Sequence, residues 1–166
     1  MKSSPPSGLQ AEIRQSRPFR SRAQEAVLSL FRTTDLIKRR HAALTDPHGV
    51  SGEQYNVLRI LRGAGPAGLP TLDVAERMVV HNPAITRLVD KLEAKRLIVR
   101  QRCTEDRRRV YCRITPAGLD LLQKLDEPVD NQSEALLSAL PQGDVDELIR
   151  ILQKIRTTAV PERKTT

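Results

Sequence analysis

The chain begins without a repeating pattern and then acquires one. Through residues 1–20 Ser, Pro and Arg dominate and apolar positions follow no period, so a disordered basic arm is expected there. From Ser21 the apolar positions recur at three- and four-residue steps. Val27, Leu30, Phe31, Thr34, Ile37 and Leu44 fall on one face of a helix, which Asp46-Pro47-His48-Gly49 breaks. Ser51 followed by Gln54 has the spacing of a capping box, and Val57, Leu58 and Leu61 are the stripe of the helix it opens. Gly63-Ala64-Gly65-Pro66 ends that helix. Gly68-Leu69-Pro70 is a short extended piece, and Thr71 is expected to cap a third helix with Leu72, Ala75 and Met78 facing inward.

A tight break at Val79-Val80-His81 leads to a fourth helix over residues 82–95, with Pro83 in its first turn, where a missing N–H costs nothing. Ile85, Leu88, Val89 and Leu92 form its apolar back. Pro83, Arg87, Asp90, Lys91 and Ala94 form a polar, partly basic front. Residues 97–102 and 109–114 then read as two strands, the second alternating cleanly. Thr115-Pro116 carries the cap-then-proline signature of another helix, with Leu119, Leu122 and Leu125 as its stripe and a kink expected at Pro128. Val145, Leu148, Ile149, Leu152 and Ile155 give a last amphipathic helix, and residues 161–166 are expected to be a flexible tail.

This order predicts a mainly α fold with a small β hairpin. Two short helices joined by a tight turn and followed by a hairpin are the winged form of helix-turn-helix, here over about residues 51–115. The long amphipathic helices over about 21–45 and 115–160 exceed what so small a module needs. Their expected use is packing against a second copy.

Composition narrows the function. The chain has two Phe, two Tyr and no Trp, so a stacking platform for single-stranded nucleic acid is not expected. Cys103 and Cys112 with three histidines make neither a disulfide framework nor a zinc pattern, and no cofactor is expected. No apolar run approaches the ~20 residues of a membrane span, and the N-terminus lacks a secretory signal, so a cytoplasmic protein is expected. The net charge of +8 is uneven: residues 84–115 hold ten Lys/Arg against four Asp/Glu. A basic middle of that kind suits a polyanion, although a solvated charged face would have the same composition.

The run Ile85-Thr86-Arg87-Leu88-Val89-Asp90-Lys91-Leu92-Glu93-Ala94-Lys95, with Asp106-Arg107-Arg108 and Ile114-Thr115-Pro116-Ala117-Gly118, closely resembles the MarR family of bacterial transcriptional regulators. The similarity is strong over roughly residues 51–125 and absent from the first twenty. It implies a homodimer of winged helix-turn-helix subunits that binds double-stranded DNA, more often as a repressor. The helix at 82–95 would enter the major groove, with Asn82, Pro83, Ala84, Thr86, Arg87 and Lys91 as candidate contacts. The hairpin at 97–114 would be the wing. By position, Arg108 would enter the minor groove with Asp106 holding it, while Arg107 and Arg109 meet phosphates. A narrow minor groove concentrates negative potential and favours such a guanidinium.

Lys91, Lys95 and Arg100 are further candidates for phosphate contact, against plain solvation. The resemblance also implies a small phenolic or anionic effector in a cleft; Tyr55, His41 and His48 are candidates to line it, or are ordinary packing and surface residues. Three positions depart from the family. Val79 and His81 stand in a turn that usually has Gly and a Ser or Thr cap. Cys103 stands where an acidic residue is frequent. Arg96 replaces a glycine, so that helix must end in a strained left-handed arginine or by another route. A non-specific architectural DNA-binding protein is the competing reading. An enzyme is not expected, because no glycine-rich phosphate loop, metal-ligand cluster or nucleophile with its base is present.

Overall fold

The computed structural model describes residues 8–102 and 110–159. In chain order the elements are α1 (Gly8–Glu12), α2 (Arg22–Thr45), α3 (Gly52–Ala64), β1 (Leu69–Pro70), α4 (Thr71–Arg77), α5 (Ile85–Ala94), β2 (Ile98–Arg102), β3 (Val110–Ile114), α6 (Pro116–Leu137) and α7 (Gln142–Ala159). The three strands form one antiparallel sheet in the order β1-β3-β2. The chain divides into two compact units, the first ending at Leu125 and the second beginning at Asp126.

The first unit owns a complete core. Val57, Leu58 and Leu61 of α3, Val74 of α4, Val89 and Leu92 of α5, and Leu122 of α6 are all 0 % exposed. Ile98 of β2 and Cys112 of β3 join them from the sheet. Burying each large aliphatic side chain contributes about 1.5–3 kcal/mol. Local chemistry sets the ends of the elements. Ser51 and Gln54 form the reciprocal capping box that starts α3. Thr115 Oγ1 accepts the Gly118 N–H at 3.1 Å to start α6, with Pro116 as its first residue.

Some inward positions differ from those the periodicity predicts. Val74, not Leu72, is the buried residue of α4; Leu72 is 75 % exposed. Thr71 lies inside α4 rather than capping it, and its hydroxyl reaches the Val110 carbonyl and the Cys112 sulfur, both at 3.5 Å. Pairing of β1 with β3 causes this, because it pulls residue 71 onto the sheet. On α2 only Thr45 is buried, and Val27, Phe31 and Ile37 stay exposed. The segment expected as an arm contains α1, whose Glu12 pairs with Arg32 of α2 at 2.7 Å.

The second unit comprises the end of α6 and α7. Pro128 lies within α6 and does not end it. Among its large apolar side chains, Leu137, Leu140, Ile149, Ile151 and Ile155 are exposed.

Candidate nucleic-acid interface

Helix α5 carries the candidate surface. Its back, Ile85, Val89 and Leu92, is buried in the first unit's core. Its front presents Thr86, Arg87, Asp90 and Lys91 to solvent. Arg87 and Lys91 make no ion pair with any described residue, and both side chains are exposed.

The start of α5 differs from the sequence expectation. The helix begins at Ile85 rather than at residue 82. Asn82 Oδ1 accepts the Ala84 N–H at 2.8 Å, closing a local turn, and Pro83 lies exposed in that turn ahead of the helix. Asparagine competes in this way because its short amide mimics a backbone turn. Ala84 adds no side-chain cap. One step earlier, Asn56 Oδ1 on α3 accepts the Val79 N–H at 3.0 Å. Two asparagines thus fix the turn that carries neither the family's glycine nor its hydroxyl cap. Asn56 was not legible as functional in the sequence, where it is one more polar position beside the α3 stripe.

The far end of α5 is settled by Arg96, which takes φ 58°. A left-handed arginine is strained by its Cβ. It is held there because Thr115 Oγ1 donates to the Arg96 carbonyl at 2.8 Å and Thr115 N–H donates to Leu97 O at 3.0 Å. Gly118 completes this junction. A Cβ on it would lie 2.4 Å from the Leu97 carbonyl oxygen, so the spacing of Thr115 and Gly118 serves the close approach of α6 to the base of the hairpin.

The hairpin pairs Ile98 with Ile114 through Arg102 with Val110. Its tip, with Cys103, Asp106, Arg107, Arg108 and Arg109, lies outside the described residues. Cys112 is buried at the hairpin base as a free thiol, and burial raises its pKa.

Two candidate phosphate contacts have other partners. Lys95 Nζ donates to the Gly49 carbonyl and, at 3.5 Å, to Gln54 Oε1. Arg100 is bound by Asp90 and Glu93 of α5. Its hydrogen bonds hold the Glu93 carboxyl below the usual carboxylate range. Of the residues considered for a cleft, Tyr55 is buried, with His41 at its edge (centroids 5.3 Å apart) and Arg59 over its ring, and His48 is exposed. Tyr55 and His41 therefore pack the seam between α3 and α2. No group of three His, Cys, Asp or Glu side chains among the described residues is placed to hold a metal ion. No described helix is long and apolar enough to cross a membrane.

A helix with a buried back and a basic front, preceded by a pinned turn and followed by an antiparallel hairpin, defines a winged helix-turn-helix DNA-binding protein. Comparison with known proteins agrees. The sequence profile described as MarR family matches residues 50–110. A MarR transcription factor from Planctomyces limnophilus is 41 % identical, with 81 % of this chain and 98 % of that chain covered at a TM-score of 0.64. The HTH-type transcriptional regulator MhqR of Bacillus subtilis (strain 168) is 27 % identical over 112 residues, 68 % of this chain and 76 % of MhqR. The PcaV transcriptional regulator from Streptomyces coelicolor, solved in complex with its natural ligand, is 25 % identical, with 77 % of this chain and 92 % of that chain covered at a TM-score of 0.63. The chain belongs to the MarR family of transcriptional regulators, a family of DNA-binding regulators and not of enzymes.

Proposed function

We propose that the chain acts as a homodimeric repressor on a pseudo-palindromic operator and is released by a small phenolic or anionic ligand. The observation that carries this reading is the front of α5, where Arg87 and Lys91 stand exposed, with no ion-pair partner among the described residues, opposite the buried Ile85, Val89 and Leu92. Arg87 donates two bonds to a guanine edge, Thr86 and Lys91 flank it, and Pro83 and Ala84 line the approach. Asn82 uses its Oδ1 in the turn and keeps its Nδ2 donors for a base acceptor or a phosphate. Arg108, held by Asp106, enters the minor groove, with Arg107 and Arg109 on phosphates.

The homodimer draws support from the apolar faces that α2 and α7 leave open within one chain. A two-fold dimer sets its recognition helices about one DNA turn apart, which is why an inverted repeat is expected. Release by a ligand draws support from PcaV, the relative solved with its natural ligand. The test is a genomic-fragment selection with the purified protein at physiological salt and excess random duplex. Recovery of a short inverted repeat is the expected result. Binding that random duplex competes away would instead identify a non-specific architectural protein.

A further inference from the structure

We infer that Arg100 is a positioning residue for DNA recognition, clamping the first wing strand to the recognition helix rather than contacting phosphate. This rests on the reading above. Arg100 sits on β2, an edge strand of the sheet, opposite Cys112. Its guanidinium spans two carboxylates of α5: Nη1 lies 2.7 Å from Asp90 Oδ1, Nε is 2.8 Å from Glu93 Oε2, and Nη2 is 2.5 Å from the same oxygen. Its backbone N–H donates to Glu93 Oε1 at 3.1 Å, so Glu93 also satisfies an amide of the edge strand. Four contacts from one residue therefore join the wing to α5.

The charges explain why the clamp needs arginine. Asp90 and Glu93 lie three residues apart on one helix face, where like charges repel. Asp90 shares the exposed front with Arg87 and Lys91. Two carboxylates there oppose a polyanion, and Arg100 offsets part of that opposition while orienting both. A planar fork does this; the compact ammonium of lysine cannot serve both partners in this geometry. Each guanidinium nitrogen already faces a carboxylate, so fewer donors remain for phosphate.

The two roles predict opposite signs. If carboxylates on this face act only by charge, Glu93→Gln tightens every duplex. If they act through the clamp, Glu93→Gln weakens the selected duplex and does not weaken a random duplex of equal length. The expected loss is about three- to tenfold, the lower part of the coupling range for residues in one hydrogen-bonded network. Arg100→Lys keeps the charge and should lose a similar factor with an unchanged salt dependence. Hydrogen exchange of the free protein gives a readout that needs no DNA: the Arg100 amide and its neighbours on β2 should exchange faster in Glu93→Gln, with the melting temperature showing that the fold persists. Wild-type affinity in Arg100→Lys, tighter binding by Glu93→Gln, or a salt slope in Arg100→Gln shallower by about one phosphate contact would overturn the clamp. Unchanged exchange in Glu93→Gln would overturn it as well. A selection that recovers no specific duplex defeats the proposed function, and the exchange experiment then decides the clamp alone.

Discussion

Helices α5 and α7 have the same kind of amphipathic sequence and opposite fates. The apolar side of α5 is consumed, with Val89 and Leu92 at 0 % exposure. On α7, Ile149 is 57 % and Ile155 45 % exposed. What each helix leaves uncovered therefore means something different. The polar front of α5 is the exposed side of a finished unit, and we propose it as the DNA-binding surface. The apolar side of α7 stays open, and so does that of α2, with Phe31 at 68 %; exposed apolar faces of this kind mark interaction sites. A second copy is the partner we propose.

The largest effect tests the finished side. Leu61→Ala removes a fully buried side chain from α3 and should cost about 2–5 kcal/mol in urea unfolding. A loss below 1 kcal/mol would mean that this core is less complete than its burial indicates. On the open side, Ile155→Asp should leave the secondary structure in place and shift the sedimentation profile from dimer to monomer. Burial of an apolar side chain of this size stabilises by about 1.5–3 kcal/mol per copy. An unchanged dimer would remove α7 from the interface.

Arg87→Ala sharpens the comparison from the polar side. It should weaken the selected duplex by about 1–3 kcal/mol and leave thermal stability unaltered, because Arg87 has no ion-pair partner among the described residues. Equal loss on random duplex would make Arg87 a phosphate contact. Arg96→Gly relieves the left-handed backbone at the end of α5. We expect a gain of about 0.5–1 kcal/mol in unfolding free energy, the relief exceeding the extra entropy of glycine in the unfolded chain.

The smallest effect lies at the seam of α2 with α3. Burial first, and then the Arg59 guanidinium, hold the His41 imidazole below its usual pKa. The unfolded chain therefore takes up that proton first, and stability falls as pH drops below about 6.5. Glu53, held low by a backbone hydrogen bond and the Ser51 hydroxyl, acts in the same direction: its contribution is full above the unfolded carboxylate pKa and is lost as pH falls through the lower folded value. His41→Gln should flatten the stability profile between pH 7 and 5 as followed by thermal melts. An unchanged slope would assign the acid sensitivity elsewhere.

Most of this architecture could be read along the chain. The stripe of α3, its capping box, the back of α5, the hairpin and the Thr115-Pro116 start of α6 all rest on residues close in sequence, where period and cap chemistry act directly. The front of α5 was legible for the same reason: once the buried side is known, Arg87 and Lys91 fall on the other. The starting point of α5 was not, because Asn82 closes a turn onto Ala84 and Asn56 holds Val79 from another helix. Thr71 and Leu72 both left their expected roles, Thr71 reaching the sheet and Leu72 facing solvent, once β1 paired with β3 across some forty residues.

The sequence by itself determined the elements from α2 onward, the buried faces of α3 and α5 and the family, since those follow from periodicity and short motifs. Only the tertiary structure decided what Arg100, Lys95, Asn56 and Gly118 do. Arg100 and Lys95 look like free cations in the chain, but folding brings two carboxylates to Arg100 and the Gly49 carbonyl to Lys95. A charge is available to a ligand only when the fold supplies it no nearer partner, and that proximity is a property of three-dimensional packing.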